Sequence, residues 1–188
     1  MGTDKAWLRL GKRYAIEWVI DALRPVAEEL AIVANIEEYK QLGPPVYSDI
    51  IKDYGPLGGI HTALTNARNN GVLIVACDLP FVTTQLFEKL IAFGTDYEIV
   101  VPISQHGQTE QMCAQYSKEC LPAIESLYKE CIHTPKALFE RCKTKRLEWS
   151  EIETLPNAMH FFDNLNTPED YQRANVLSPA FRRLRHST

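Results

Sequence analysis

Several motifs that would assign a chain of this size to a familiar class are missing. The five cysteines form no CxxC pair, which argues against a zinc site or a disulfide framework and favours reduced thiols. The sequence contains no HExxH, GxSxG or GxxxxGK[ST] motif, which excludes zinc proteases, serine hydrolases and P-loop enzymes. It has no apolar signal segment at its start and no apolar run long enough to span a bilayer. We therefore expect a cytoplasmic protein without a membrane partner.

An excess of positive charge is also lacking. The chain has 20 Lys and Arg against 24 Asp and Glu, a net charge of −4, so we expect no nucleic-acid partner. With 188 residues, 45% of them hydrophobic, the chain is long enough to bury the core of one domain. We assign residues 1–176 to that domain and residues 177–188, which contain three arginines, to a solvated C-terminal tail.

Segments typical of strands and of helices alternate along the chain. Residues 15–23 carry apolar side chains at the spacing of an amphipathic helix, and residues 72–77 (VLIVAC) are continuously apolar, like a strand covered on both faces. Further strands are predicted at residues 30–34, 46–48, 98–103, 112–117 and up to 161–163, and further helices at 37–42, from GPLGG to about 69, 84–93, 121–129, 135–142 and 168–173. This alternation predicts an α/β fold with a mostly parallel sheet.

Asp78 follows the most strongly apolar of the predicted strands and precedes Leu79-Pro80. Ligands of α/β proteins bind at the carboxyl ends of strands, and a carboxylate there suits Mg²⁺, which keeps several waters and takes other ligands from phosphate. The same aspartate would equally serve to cap the turn or the next helix. Its position alone leaves both roles open.

Other polar residues near turns also fit two roles. Lys5 suits a contact with phosphate, or it is a solvated lysine near the start of the chain. Asp49 and Asp53 flank the turn before GPLGG (residues 55–59), as turn residues or as carboxylates that line the same crevice as Asp78. The glycines of GPLGG permit either a tight turn or the close approach of a ligand to the backbone.

Asn164 and Asn166 lie in the run FFDNLNTPEDY. Their amide groups offer both donors and acceptors, which suits the recognition of a pterin or a base. The same run is also typical of a helix start, because Thr167 is a good N-cap residue and Pro168 a good first helical residue. The local sequence does not decide between the two.

Six blocks of the chain, taken in order, resemble the molybdenum cofactor guanylyltransferases. They are MGTDKAWLRLGK (residues 1–12), IVAN (32–35), VYSD (46–49), DYGPLGGIHTAL (53–64), VACDLPF (75–81) and NLNTPEDY (164–171). The CDLP part is shared with wider nucleotidyltransferases, whereas GPLGG together with NLNTPEDY is much more specific to this family. The blocks span nearly the whole chain.

The resemblance implies a fold and a set of site residues. The implied fold is a Rossmann-like nucleotidyltransferase of three layers whose first strand is missing from the sequence. Lys5 would contact the GTP phosphates and act in catalysis, Asn35 and Asp49 would bind the nucleotide, Asp78 would hold Mg²⁺ against the triphosphate, and Asn164 and Asn166 would face molybdopterin.

The implied activity is the transfer of GMP from GTP to molybdopterin, the organic part of the molybdenum cofactor, with release of pyrophosphate. GTP and molybdopterin would be its substrates, and molybdoenzymes or their chaperones would be further partners. Two alternatives stay open: a related nucleotidyltransferase that uses CTP, and a non-catalytic remnant or adaptor that binds the pterin or a molybdoenzyme.

The sequence departs from this family at its front. The family opens with an apolar strand and a loop of the type LAGGxSxRMGxDK, and Met1 stands at the methionine of that loop. Loss of a central strand would expose apolar surface and unpaired backbone groups, so we expect the 188-residue chain to be unstable or inactive by itself. An upstream start codon explains the departure better than a decayed gene, because the other blocks are intact. A milder departure is Gln111, which lies where proline is common in the family.

Overall fold

The structure, a computed structural model, describes residues 4–185 of the chain. Its strands are β1 (Arg9–Leu10), β2 (Arg13–Tyr14), β3 (Ile32–Val33), β4 (Val46–Tyr47), β5 (Gly71–Val75), β6 (Ile99–Pro102), β7 (Cys113–Ser117) and β8 (Thr144–Leu147). Its α-helices are α1 (Ala15–Leu23), α2 (Pro56–Asn66), α3 (Thr84–Ile91), α4 (Leu121–Lys129), α5 (Pro135–Leu138), α6 (Trp149–Ile152) and α7 (Pro168–Arg185). Short 3-10 helices lie at Lys5–Trp7, Glu37–Leu42, Lys118–Cys120 and Ala158–His160.

The main sheet has four strands in the order β5-β7-β6-β8. β7 is antiparallel to both of its neighbours, whereas β8 is parallel to β6. Three of the four strands therefore point the same way, and the antiparallel β7 makes the sheet mixed. β3 and β4 form a separate parallel pair, and β1 and β2 form an antiparallel hairpin.

Both faces of the main sheet are covered by helices. Along β6, Ile99 and Val101 pack into a core with residues of α2, α4 and α5, whereas Val100 packs into a second core with residues of α1, α3 and α6. Successive strand residues point to opposite faces, so this alternation places the sheet between two helical layers. The α/β fold predicted from the sequence is confirmed.

β5 is an edge strand of the main sheet. It pairs with β7 on one side, and within residues 4–185 no ladder joins it to the β3–β4 pair. Of its five residues only Ile74 is buried, although both cores extend onto β5. β5 is therefore covered on both faces, as predicted, but most of its residues are only half-buried, because no strand among the described residues shields this edge.

The GPLGG segment is explained by its own backbone. Gly55 precedes α2 with a φ of 59°, a conformation that favours glycine. A Cβ on Gly58 would lie 2.8 Å from the carbonyl oxygen of Ile51, so the close approach is to the chain itself. Asp53 has a φ of 58°, as a turn residue does. The structure therefore supports the turn role for this segment.

Two predicted helix starts are confirmed. The Thr83 hydroxyl accepts a hydrogen bond from the Leu86 N–H at the start of α3. At the start of α7, the Thr167 hydroxyl accepts from the Asp170 N–H at 3.1 Å, and the Asp170 carboxylate accepts from the Thr167 N–H at 2.9 Å. These bonds satisfy N–H groups that have no partner within the helix.

Two predicted elements differ from the structure. Residues 161–163 do not end a strand but follow a 3-10 helix that begins after Asn157, whose φ is 64°. Phe161 is fully buried there, so its apolar character reports on the core and not on a strand. The last strand is β8, whose sequence TKRL carries charged side chains because it lies at the edge of the sheet. The helix predicted at 135–142 ends at Leu138.

The last helix, α7, is longer than predicted and continues through the proposed boundary at residue 176. Phe181 is 3% exposed and packs against Trp18 and Phe81. The helix therefore contributes to the core well beyond Arg173, because its second half presents an aromatic side chain to α1. Across the described part of the chain, no helix has the length and apolar character needed to cross a membrane.

Candidate functional site

Asp78 lies just beyond the carboxyl end of β5, which ends at Val75. Its carbonyl oxygen accepts a hydrogen bond from the N–H of Leu165 at 3.2 Å. This bond brings the segment that contains Asn164 and Asn166 alongside Asp78. Residues that are nearly 90 positions apart in the sequence therefore meet at the edge of the sheet where α/β proteins bind ligands.

Lys5 joins these two segments. Its ammonium group donates a hydrogen bond to Asp78 Oδ2 at 3.1 Å and another to Asn166 Oδ1. The Asp78 side chain is 16% exposed and the Lys5 side chain 38% exposed, so the ion pair is sheltered but reachable from solvent. Three residues from the beginning, the middle and the end of the chain thus form one polar cluster.

The carboxylate of Asp78 suits a divalent cation that keeps most of its water. Lys5 engages Oδ2, and the described residues offer Oδ1 no hydrogen bond. Within residues 4–185 there is no group of three His, Cys, Asp or Glu residues that would enclose a metal. A single carboxylate supplemented by phosphate oxygens and waters is a normal Mg²⁺ site, so the donor set fits this ion only together with a phosphate ligand.

Asn35 and Asp49 form a second polar pair. The Asn35 amide donates to Asp49 Oδ2 at 2.9 Å, and the Asp49 N–H donates to Asn35 Oδ1 at 3.0 Å. Each residue lies two positions beyond the parallel pairing of Val33 with Tyr47, so β3 and β4 deliver them side by side. Asn35 is exposed and Asp49 is half-buried, and the isoleucines that follow them in sequence, Ile36 and Ile50, are exposed.

One hydrophobic cluster connects the two polar groups. Its buried members are Ala6, Ile16 and Tyr39, and residues of β3 and β4 pack against them. Cys77, the neighbour of Asp78, packs against the same cluster. The segments that carry the Lys5–Asp78–Asn166 group and the Asn35–Asp49 pair therefore pack on the same hydrophobic cluster.

Asp4 and Tyr39 are parts of this region that the sequence analysis did not single out. Asp4 Oδ1 accepts from the Ala6 N–H at 3.1 Å, and Asp4 Oδ2 accepts from the Tyr39 hydroxyl at 2.7 Å. Burial, followed by the hydrogen bond to Asp4, raises the pKa of the Tyr39 phenol, so Tyr39 acts as a donor. An aspartate before a short helix is an N-cap signal that could have identified Asp4, but Tyr39 carried no such signal.

Cys77 lies among these charges. Burial raises the pKa of its thiol to about 11, and the carboxylates of Asp78 and Asp4 add to the shift because they repel a thiolate. Cys77 is therefore a neutral neighbour of Asp78 at ordinary pH and not a nucleophile.

The site residues named from the sequence thus fall into two groups and one outlier. Lys5 contacts both Asp78 and Asn166, and Asn35 pairs with Asp49. Asn164 is half-buried and has no hydrogen bond to either group within the described residues.

Comparisons with known proteins identify the family of this chain. Residues 1–146 match the model of the MobA-like NTP transferase domain. The molybdenum cofactor guanylyltransferase of Vibrio vulnificus is 32% identical over 90% of this chain and 85% of its own. A protein of Carboxydothermus hydrogenoformans, named "Probable molybdenum cofactor guanylyltransferase", is 36% identical over 92% of this chain and 87% of its own.

Solved structures show the same fold. The molybdopterin-guanine dinucleotide biosynthesis protein A of Archaeoglobus fulgidus superposes with a TM-score of 0.81 at 22% identity and covers 95% of this chain and 92% of its own. The 2-C-methyl-D-erythritol 4-phosphate cytidylyltransferase of Thermus thermophilus gives a TM-score of 0.72 at 17% identity, over 93% and 94% of the two chains. With the sequence relatives and the family model, these findings show that the chain belongs to the molybdenum cofactor guanylyltransferase family of nucleotidyltransferases.

Proposed function

We propose that this protein transfers GMP from GTP to molybdopterin and releases pyrophosphate. The observation that carries the proposal is the contact of Lys5 with Asp78 and Asn166 at the carboxyl edge of the sheet. A cation, a carboxylate and an amide in one sheltered cluster suit a triphosphate and its counterion. The family relationship supports GTP and molybdopterin as the two substrates.

The proposed step is an in-line displacement. The terminal phosphate oxygen of molybdopterin forms a bond to the α-phosphorus of GTP, and the bond from that phosphorus to the α,β-bridging oxygen breaks. Pyrophosphate leaves with the electron pair of that bond. The attacking phosphate is already an anion, so no side chain has to remove a proton, and catalysis depends on alignment and charge neutralisation.

Lys5 and Asp78 would have different roles in binding the triphosphate. The Lys5 ammonium would follow the phosphate oxygens and neutralise part of the charge that moves to pyrophosphate. Asp78 would hold Mg²⁺, which would supply further charge neutralisation on the phosphates when bound. A phosphate ligand would then replace the direct contact between Lys5 and Asp78.

The Asn35–Asp49 pair would bind the nucleoside part of GTP. The Asn35 amide donates to the Asp49 carboxylate and accepts from the Asp49 backbone N–H, so the pair is preorganised before the nucleotide arrives. Ile36 is 45% exposed and Ile50 52% exposed, and they offer an apolar surface next to the pair for a flat base. Asn164 and Asn166 would face the pterin, whose edge presents both donors and acceptors.

Asp78→Asn tests the proposal. The amide keeps the size of the side chain but loses the charge that would hold Mg²⁺, so we expect kcat for GMP transfer to fall by about 10²- to 10³-fold or more. Asp96→Asn, which removes an exposed carboxylate from a loop, should leave kcat unchanged. Equal activity of the Asp78→Asn variant and the wild type would refute the role of Asp78.

A panel of nucleotides separates the proposal from its alternatives. We expect a chain extended by a strand and loop of the LAGGxSxRMG type to bind GTP with Mg²⁺ in preference to CTP, measured by calorimetry, and the 188-residue chain to bind GTP less tightly or not at all. Preference for CTP would favour a cytidylyltransferase. Binding of molybdopterin without any binding of GTP by either form would favour an adaptor and contradict the proposal.

A further inference from the structure

Lys5 stands on a very short piece of secondary structure. The 3-10 helix Lys5–Trp7 has three residues, and a single turn of this kind is not stable by itself. The Lys5 side chain is also long and flexible, and fixing it costs conformational entropy. Other parts of the chain must therefore stabilise the turn if Lys5 is to contact Asp78 and Asn166 at the same time.

Asp4 supplies this hold with two hydrogen bonds. One carboxylate oxygen caps the turn by accepting from the Ala6 N–H, and the other accepts from the Tyr39 hydroxyl at 2.7 Å. Asp4 is thereby fixed on both sides, by the backbone of the turn and by a side chain 35 positions away. Lys5 follows Asp4 directly, so the orientation of Asp4 determines where Lys5 begins.

Tyr39 is itself firmly anchored. It is 6% exposed and lies in the 3-10 helix Glu37–Leu42, shortly after Asn35. Its ring contacts the Trp7 ring at 5.3 Å between centroids, and Trp7 in turn meets Tyr14 edge to face at 5.2 Å. The residue thus joins the segment after Asn35 to the turn that carries Lys5.

We propose that Tyr39, acting through Asp4, is a positioning residue that places the Lys5 ammonium group between Asp78 and Asn166. Loss of the Tyr39 hydroxyl would release Asp4 Oδ2 while leaving the ring against Trp7. The turn would then sample other orientations, and the ion pair of Lys5 with Asp78 would be populated less. The effect on activity rests on the proposed function, whereas the effect on the Lys5 contact does not.

Chemical labelling of Lys5 tests the contact without any substrate. An ammonium group held in an ion pair acylates slowly, so brief treatment with acetic anhydride and peptide mass spectrometry report how much of Lys5 is held. The exposed Lys52 serves as the internal standard. Loss of one hydrogen bond to a carboxylate corresponds to about a fivefold change in population, so we expect Tyr39→Phe to accelerate Lys5 labelling about fivefold.

A double-mutant cycle shows whether Tyr39 acts through Asp4. Asp4→Ala should accelerate Lys5 labelling at least as much as Tyr39→Phe, and the double variant should label no faster than Asp4→Ala alone. Asp4→Asn retains one oxygen for the Ala6 N–H but presents an NH2 donor, in place of the second acceptor, to the Tyr39 hydroxyl, so its labelling rate should lie between those of the wild type and Asp4→Ala. Multiplied effects in the double variant, or unchanged labelling in folded Tyr39→Phe, would overturn the proposal.

Kinetics give an independent readout. Lys5 would act mainly on the charge that develops during transfer, so Tyr39→Phe should lower kcat about fivefold with a much smaller change in the KM for GTP. Tyr128→Phe removes a hydroxyl from the exposed side of α4 and should change neither value. Labelling that follows the cycle, together with no GMP transfer by the chain extended by the strand and loop, would support the positioning role and refute the proposed function. GMP transfer together with unchanged labelling of Lys5 in the Tyr39→Phe variant would support the proposed function and refute the positioning role.

Discussion

At the scale of single residues, the candidate site places two carboxylates close to a half-buried thiol. Cys77 lies close enough to Asp78 and Asp4 for both carboxylates to disfavour its ionisation, in addition to the effect of burial. A thiol with a pKa of about 11 has only a small thiolate fraction at pH 8, and that fraction rises about tenfold with each pH unit. The reactivity of Cys77 therefore reports on the charges of the site.

Alkylation of the cysteines tests this account. With iodoacetamide at pH 8, we expect Cys77 to react much more slowly than the exposed Cys131, and its rate should continue to rise up to about pH 11. Asp78→Asn removes one repulsive charge and lowers the pKa of Cys77, so the variant should react faster at pH 8. The buried Cys113 should stay unreactive in both proteins. If Cys77 were as reactive as Cys131, the charges of Asp78 and Asp4 would not act on it as inferred.

The sequence identified the charged members of the site better than their supports. Lys5 and Asp78 are charged residues within short sequence motifs, so the sequence alone indicated their chemistry. The structure brings them together with Asn166. Tyr39 has no local signal, because its role depends on a hydrogen bond to a residue 35 positions earlier. Long-range partners of this kind follow from the fold and not from local spacing.

At the scale of elements, the two adjacent glycines of α2 have different surroundings. A Cβ on Gly58 would lie 2.8 Å from the Ile51 carbonyl oxygen and 3.3 Å from the Tyr54 Cβ. A Cβ on Gly59 would meet nothing within 4 Å. The first glycine is therefore required for α2 to approach the preceding turn, whereas the second only adds backbone freedom to the unfolded chain.

Alanine substitutions in α2 should reveal this difference. We expect Gly58→Ala to lower the free energy of unfolding by roughly 1–3 kcal/mol, because backbone atoms would have to move. Gly59→Ala should raise it by about 0.5–1 kcal/mol, since alanine has the better helix propensity. Urea denaturation of both variants measures the two effects side by side. Equal destabilisation by both substitutions would contradict the contact at Gly58.

Elements in the middle of the sheet were easier to predict than those at its edges. β6 and β7 are buried along their whole length, and both lie where the sequence predicted strands. β8 escaped prediction because it lies at an edge, where only one of its four residues, Leu147, is buried. Phe161 gave the opposite error, since a fully buried aromatic residue in a 3-10 turn resembles the end of a strand.

At the scale of the whole molecule, the two ends of the described chain meet beside the candidate site. Leu165 bonds to the backbone of Asp78, and Asn166 accepts from Lys5. One turn further, the Tyr171 hydroxyl donates to the Arg9 carbonyl oxygen at 2.8 Å. The start of α7 is therefore tied to the same N-terminal segment that carries Lys5. Interactions that stabilise α7 therefore also stabilise its contact with the N-terminal segment.

The aromatic contact of Phe181 provides that stability at the far end of α7. Its side chain is 3% exposed. The centroid of its ring lies 5.0 Å from that of Phe81, which follows Asp78 by three residues, and 6.3 Å from that of Trp18 in α1. Phe181→Ala should therefore cost about 3–5 kcal/mol of unfolding free energy, the usual cost of removing a buried aromatic side chain.

Val176→Ala is the matched control, because Val176 lies in the same helix and is 80% exposed. It should change the unfolding free energy by less than about 0.5 kcal/mol. Denaturation of both variants would show whether residues after 176 belong to the cooperative core, and a loss of less than about 1 kcal/mol for Phe181→Ala would place them outside it.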